Sequence, residues 1–176
     1  MVWDKLLCGQ RERHSTASGA HRNEFDKDYD RIVYSSSFRR LQDKAQLFPL
    51  QENDFIRTRL THSIEASALA RSLGTAIGQW LIEKEEMNIK QASELASLLQ
   101  VAALVHDLGN PPFGHYGEDI IRNWFRKWFE TQEFKEINSQ VDKELSLTEK
   151  EKKDFINFEG NAQTIRILTK LQLLND

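Results

Sequence analysis

The sequence predicts an all-α fold. Two long stretches, Thr58 to Glu85 and Lys90 to His106, carry apolar residues at helical spacing over several turns. Three prolines and eight glycines in 176 residues are too few for a turn-rich β fold. Hydrophobic residues make up 39% and charged residues 29%, the balance of a globular domain rather than a disordered chain.

The elements follow in order. Residues 1–25 read as an irregular polar arm, with a short helix around Trp3 to Leu7 and a flexible stretch at Ser15-Thr16-Ala17-Ser18-Gly19. Asp26 to Arg40 is expected to be helical in part, with acidic residues near its start, where the helix dipole favours them. Gln46 to Phe55 contains Pro49 and reads as a loop with a short hairpin. Thr58 to Glu85 is a long helix. At about 100° per residue, His62 shares a face with Ala66, Leu69, Leu73, Ala76 and Trp80, and that face is expected to enter the core. Ser67, Arg71, Thr75 and Gly78 fall on the other side.

In the helix from Lys90 to His106, His106 aligns with Ala92, Leu95, Leu99 and Ala102, while Ser93, Glu94, Ser97 and Gln100 face away. Antiparallel packing of these two helices would bring the start of the first, with His62, beside the end of the second, with His106. Gly109-Asn110-Pro111-Pro112 ends the second helix. A helix resumes from Gly117 to Trp128, with Ile120, Ile121, Trp124, Phe125 and Trp128 as its apolar stripe. Gln132 to Ser146 is charged and weakly periodic, a loop or surface helix. Ser146 and Thr148 are candidate caps for a helix over Glu149 to Phe155, and Gly160 to Leu174 is a last amphipathic helix.

Several function classes lose support from the bulk numbers. A net charge of −3 gives no global signature for nucleic acid or an anionic membrane. One cysteine, Cys8, excludes an internal disulfide framework and fits a reducing cytoplasm. Met-Val-Trp-Asp-Lys has no apolar signal region, and no run is long enough to span a bilayer. A cytoplasmic protein is therefore expected.

His106-Asp107 closes the apolar run Leu98-Leu99-Gln100-Val101-Ala102-Ala103-Leu104-Val105. A carboxylate at a buried helix C-terminus is penalised by burial and by the dipole. A bound divalent cation offsets both and uses the imidazole and the carboxylate as ligands. His62 alone would read as an ordinary core histidine, but it lies where it can join that pair. Mixed nitrogen and oxygen donors suit Mg, Mn, Zn, Ni or Fe. His115 follows, with Glu118 three residues on to orient its ring as a general acid or base; a surface histidine near a helix start reads equally well. Among the early arginines, Arg59 precedes His62 by three residues and is placed to clamp a phosphate at a metal.

Four sequence blocks add a finer likeness. They are Arg39-Arg40-Leu41-Gln42-Asp43-Lys44-Ala45-Gln46-Leu47-Phe48-Pro49-Leu50, Arg57-Thr58-Arg59-Leu60-Thr61-His62-Ser63, His106-Asp107-Leu108-Gly109-Asn110-Pro111-Pro112-Phe113-Gly114-His115, and Phe158-Glu159-Gly160-Asn161-Ala162-Gln163. In order and spacing the chain resembles the deoxyguanosinetriphosphate triphosphohydrolases, a branch of the HD-domain phosphohydrolases. The resemblance implies an HD-domain helical bundle over residues 26–176, present in part. It implies His62, His106 and Asp107 as ligands of a divalent metal, Mg or Mn first, then Zn, Ni or Fe. It makes His115 the catalytic histidine with Glu118 as its orienting carboxylate, and puts Arg59 on the α-phosphate. Gln46 and Leu47 would lie beside the deoxyribose and base, with Glu159 and Asn161 also lining the site. The implied reaction converts dGTP or another dNTP to deoxynucleoside and inorganic triphosphate. The implied assembly is a homo-oligomer. The family's further aspartate ligand has no counterpart in context among Asp119, Asp142, Asp154 and Asp176, so the site is expected to need another segment. Two other readings stand beside this one: an HD phosphohydrolase for a different nucleotide, and a catalytically inactive HD module that binds nucleotide, protein or single-stranded DNA.

Overall fold

The computed structural model describes residues 2–10, 22–44, 46, 56–142 and 145–171. Among these residues it is helical and contains no strand, as the sequence predicts. The Ser15 to Gly19 stretch, the expected hairpin after Gln46 and the end of the last expected helix lie outside the described residues. No helix among the described residues is long and apolar enough to cross a membrane. The chain divides into two compact units, Met1–Asp107 and Leu108–Asp176.

The first unit is built on two helices, α4 (Arg59–Glu83) and α5 (Ile89–Val105). Before them come α1 (Trp3–Leu6), α2 (Glu24–Val33), α3 (Ser36–Arg39) and a 3-10 turn over Arg40–Asp43. Local chemistry fixes the helix ends. Thr58 caps α4 by accepting from the Thr61 N–H, and Asn88 and Gln91 form a reciprocal capping box on α5. At the other end of α4, Glu86 N–H donates to Leu81 O and Glu85 N–H to Ile82 O, the two bonds of a Schellman closure. Glu85 takes the left-handed conformation this requires, at φ 58°. Ser35 separates α2 from α3 by capping the latter, which is why the Asp26 to Arg40 stretch is helical only in part.

α4 and α5 run antiparallel along a seam of small residues. A Cβ added at Gly74 would lie 2.8 Å from the Ala96 Cα, and one at Gly78 would lie 2.9 Å from the Ala92 Cβ. Ser67 Oγ donates to the Gln100 carbonyl at 3.0 Å, and Arg71 reaches the Gln100 side chain at 2.6 Å. These pairs step in opposite directions along the two chains. They also correct the expected face of α4. Ser63, Ser67, Gly74, Gly78 and Leu81 are buried, whereas Leu69, Leu73 and Trp80 are more than half exposed. Close approach of two backbones, rather than side-chain size, selects the buried face. On α5 the exposed-side assignment of Ser97 is likewise reversed. Ser97 is buried, donates to Asp26 and accepts from Asn23, which anchors the capping box of α2 to α5. Leu7, Leu81 and Met87 form a core cluster at the α4–α5 turn, joined by Trp3, Ala92, Leu95 and Leu98.

The second unit holds α6 (Gly114–Glu130), α7 (Gln132–Gln140), α8 (Glu149–Ile156) and α9 (Gly160–Arg166), followed by a π turn over Ile167–Leu171. α6 begins at Gly114, three residues earlier than expected, so His115 sits in a first helical turn and not in a loop. Its core is aromatic. Phe125 packs 4.7 Å from Phe155 of α8, and Trp128 packs 4.9 Å from Phe134 of α7, between ring centroids. The Gln132 to Ser146 stretch resolves into α7, capped by Thr131, and Thr148 rather than Ser146 caps α8. At Gly109 any side chain would collide with the backbone of α9: a Cβ there would lie 2.2 Å from Gly160 O.

The seam gives a contrast that composition does not. Gly74→Val should lower stability by about 1–3 kcal/mol through overpacking. Leu73→Gln should change it by less than about 0.5 kcal/mol, the usual scale for an exposed position. Urea denaturation measures both, and the opposite ranking would return Leu73 to the core.

Candidate functional site

His62 lies in the first turn of α4, and His106 is the residue that closes α5. The antiparallel seam brings their Nε2 atoms to 3.2 Å, with the rings edge to face. His106 Nδ1 is 2.7 Å from the Ala103 carbonyl oxygen. A carbonyl only accepts, so Nδ1 carries the proton, and neutral His106 keeps a lone pair on Nε2. That is the tautomer a metal ligand needs, held by the backbone carbonyl typical of such histidines. Asp107 is buried beside them, with one carboxylate oxygen 3.9 Å from His106 Nε2. One donor atom from each of His62, His106 and Asp107 falls within 4.8 Å of the others. Two imidazoles and a carboxylate at that spacing suit a divalent metal ion, and the mixed donor set does not name which one.

Arg59 takes a place the sequence alone did not indicate. Its Nη1 donates to Asp107 Oδ1 at 2.8 Å, and both side chains are about 5% exposed. The guanidinium is turned inward onto a carboxylate, where the family likeness had it on a phosphate. Its Nε is buried without a hydrogen-bond partner among the described residues. Asp107 therefore has one oxygen engaged by Arg59 and the other directed toward the histidines.

The block before α4 is drawn in by backbone pairing: Arg59 N–H donates to Lys44 O, and Gln46 N–H to Arg57 O. Sequence reading passed over Lys44. Burial lowers its pKa, Arg59 and Arg40 lower it further, and Asp107 opposes them. The signal was available in the Arg39 to Lys44 run of cations just ahead of the histidine helix. Gln46 Oε1 is buried without a hydrogen-bond partner among the described residues. Leu47 lies outside the described residues.

In the second unit, His115 and Glu118 form the expected pair. His115 Nδ1 is 3.0 Å from Glu118 Oε2, and the imidazole is 89% exposed while the carboxylate is 3% exposed. Glu118 Oε1 accepts the Gly160 N–H at 2.7 Å. Arg122, which sequence reading missed, donates to Oε2 at 3.2 Å. It lies four residues after Glu118, the spacing of neighbours on one helix face. The pKa of His115 is raised, first by the Glu118 hydrogen bond and then by the charges of Glu118 and Glu159, with Arg122 opposing. Burial pushes the Glu118 pKa up, but the His115 bond, the Gly160 amide and the two neighbouring cations bring it below its ordinary value. Glu159 and Asn161 have a local task. Glu159 caps α9 through the Ala162 N–H, and the Asn161 amide donates to Glu159.

Residues 59–166, more than half the chain, match the HD domain family. A deoxyguanosinetriphosphate triphosphohydrolase-like protein of Listeria monocytogenes is 45% identical over 100% of this chain and 38% of its own length. One from Synechocystis sp. is 45% identical over 98% of this chain and 38% of the relative. A deoxyguanosinetriphosphate triphosphohydrolase of Salmonella paratyphi A is 37% identical over 86% of this chain and 34% of the relative. The chain thus spans about 38% of the length of the first of these relatives.

The His115–Glu118 pair has a defined pH signature. Its contribution to stability is complete below the ordinary imidazole value and is lost as pH rises through the raised value of His115. On the acid side it is lost as pH falls through the lowered value of Glu118. Glu118→Gln keeps the shape and removes the charge, so the His115 titration midpoint, followed by imidazole NMR, should fall toward the ordinary value. An unchanged midpoint would show that the pair does not form in solution.

Proposed function

The chain belongs to the HD-domain family, and we propose that it carries the metal ligands and the acid–base pair of a phosphohydrolase. Its substrate is a deoxynucleoside triphosphate, dGTP among them, and its products are deoxynucleoside and inorganic triphosphate. The observation that carries this reading is the convergence of His62 Nε2, His106 Nε2 and Asp107, with the His106 tautomer set by the Ala103 carbonyl. The substrate class rests on the relatives' names and on the four-block likeness.

His62, His106 and Asp107 hold one divalent ion in this reading. When bound, the ion supplies Lewis-acid stabilisation of charge on a phosphoryl oxygen and lowers the pKa of water. Arg59 donates to Asp107 Oδ1 and so fixes the orientation of the carboxylate, whose Oδ2 faces the histidines. Cleavage at the α-phosphorus expels a 5′-alkoxide, a poor leaving group that needs a proton as it departs. His115 provides that proton from Nε2, because Glu118 occupies Nδ1 and favours the protonated ring. Cleavage at the β- or γ-phosphorus releases a stabilised phosphate and needs no such acid, so the two routes differ in product.

Metal binding comes first. His106→Ala should abolish stoichiometric Mn²⁺ uptake, measured by elemental analysis and EPR on the purified chain, whereas His115→Ala should leave it intact. Loss of metal from the His115 variant would make that residue a ligand.

Chemistry is read from products. With dGTP and Mn²⁺ in ¹⁸O-water, a site completed by the further aspartate should place the label in triphosphate and not in deoxyguanosine, and the 176-residue chain alone should turn over little. His115→Ala should lower kcat by about 10²–10⁴-fold. Orthophosphate or pyrophosphate as the first inorganic product would redirect the reading to another HD phosphohydrolase. Tight metal and nucleotide binding without any product would make the chain a binding module.

A further inference from the structure

We propose that Arg122 is a positioning residue that sets the acid strength of His115 by sharing the Glu118 carboxylate with it. The proposal rests on the reading of His115 as the general acid.

His115, Glu118 and Arg122 are spaced three and four residues apart, which puts all three on one face of α6. Glu118 is buried and its two oxygens have distinct partners. Oε1 accepts the Gly160 amide at 2.7 Å. Oε2 receives both the His115 ring, at 3.0 Å, and Arg122 Nη2, at 3.2 Å. The Gly160 bond prevents the carboxylate from rotating to give each cation its own oxygen, so the two must share. Arg122 is itself held on two further sides, by Nε to the Phe158 carbonyl and by Nη1 to Asp119. It is also better shielded than the histidine, with its side chain 25% exposed against 89%.

The charged groups around His115 therefore divide into two sets. Glu118 on α6 and Glu159 at the start of α9 favour the imidazolium, while Arg122 disfavours it. A general acid must carry its proton at working pH and still surrender it in the transition state. A buried glutamate undivided by any second cation would hold that proton too firmly. Arg122 withdraws part of the Glu118 charge and keeps the same carboxylate in place.

A mere brace predicts the opposite sign. If Arg122 only held Glu118 still, its loss would loosen the His115 bond and let the ring relax down to the ordinary imidazole value. A charge counterweight predicts that its loss leaves Glu118 wholly to His115 and moves the ring further up.

The test uses Arg122→Gln and Arg122→Lys in the 176-residue chain, with His115 titrated by imidazole NMR and Mn²⁺ uptake as a control for folding. Arg122→Gln should raise the His115 midpoint. Arg122→Lys keeps the charge but loses the planar three-point attachment, and should hold the midpoint near that of the parent. A fall in either variant, or no movement in folded Arg122→Gln, overturns the proposal. Should Arg122→Gln fail to fold, the lysine variant still decides, because a brace predicts a fall there too. Where turnover is measurable, the alkaline limb of the kcat/KM profile should move up with the midpoint in Arg122→Gln. A moved midpoint with a stationary limb would retain the counterweight and remove His115 from the role of acid.

Discussion

The close approach of α4 to α5 is the constraint on which the first unit depends. Backbones that nearly touch at Gly74 and Gly78 leave no slack in the register, because a shift by one residue would drive a side chain into the facing helix. The seam ends where Ser63 and Ser67 are buried, and there it delivers His62 to His106. A wider, leucine-filled interface would hold the same helices together but would separate the two Nε2 atoms. Small residues along α4 are thus the structural reason that two imidazoles, 44 positions apart in sequence, meet at hydrogen-bond distance.

Among the described residues, each unit also buries one carboxylate and handles it in a similar way. Asp107 has Arg59 on one oxygen and the histidines beside the other. Glu118 has the Gly160 amide on one oxygen and His115 with Arg122 on the other. Removing an ion from water costs several kcal/mol, and a fixed arginine returns much of that only when its geometry is good. Both arginines meet the condition by lying on a helix next to, or in contact with, the residue they serve. The arrangement fixes which oxygen faces which partner, and so acts on orientation as much as on stability.

Much of this was legible in the sequence. Helix periodicity gave the all-α class and the long helices, and the antiparallel expectation put His62 beside His106. His115 and Glu118, three apart, were read as a pair and are one. What was not legible shares a physical cause. Apolar periodicity points to Leu69, Leu73 and Trp80 as the buried face of α4, but they are exposed because packing there follows backbone proximity rather than side-chain area. Arg59 reads in sequence as a group reaching an anion at the metal; its bond to Asp107, 48 residues away, is a pairing that periodicity cannot register. Lys44 was missed because two short backbone bonds to the start of α4, and not a helix, carry it toward Arg59. Arg122 could have been found, since its spacing from Glu118 is that of an ordinary helical ion pair.

The Arg59–Asp107 pair also bears on what a metal would do here. With both histidines neutral, the three donors and Arg59 together carry no net charge: one carboxylate and one guanidinium cancel. A divalent ion then brings charge that the protein has not already balanced. Such an excess is relieved by an anion, and one with several oxygens can relieve it most fully. The triphosphate proposed as substrate is such an anion, and a neutral nucleoside is not. In the proposed reaction the uncharged nucleoside then has no electrostatic reason to stay. The inward arginine thus does more than steady a ligand. In the proposed site it would balance Asp107 in advance and leave the charge of a bound ion for the substrate.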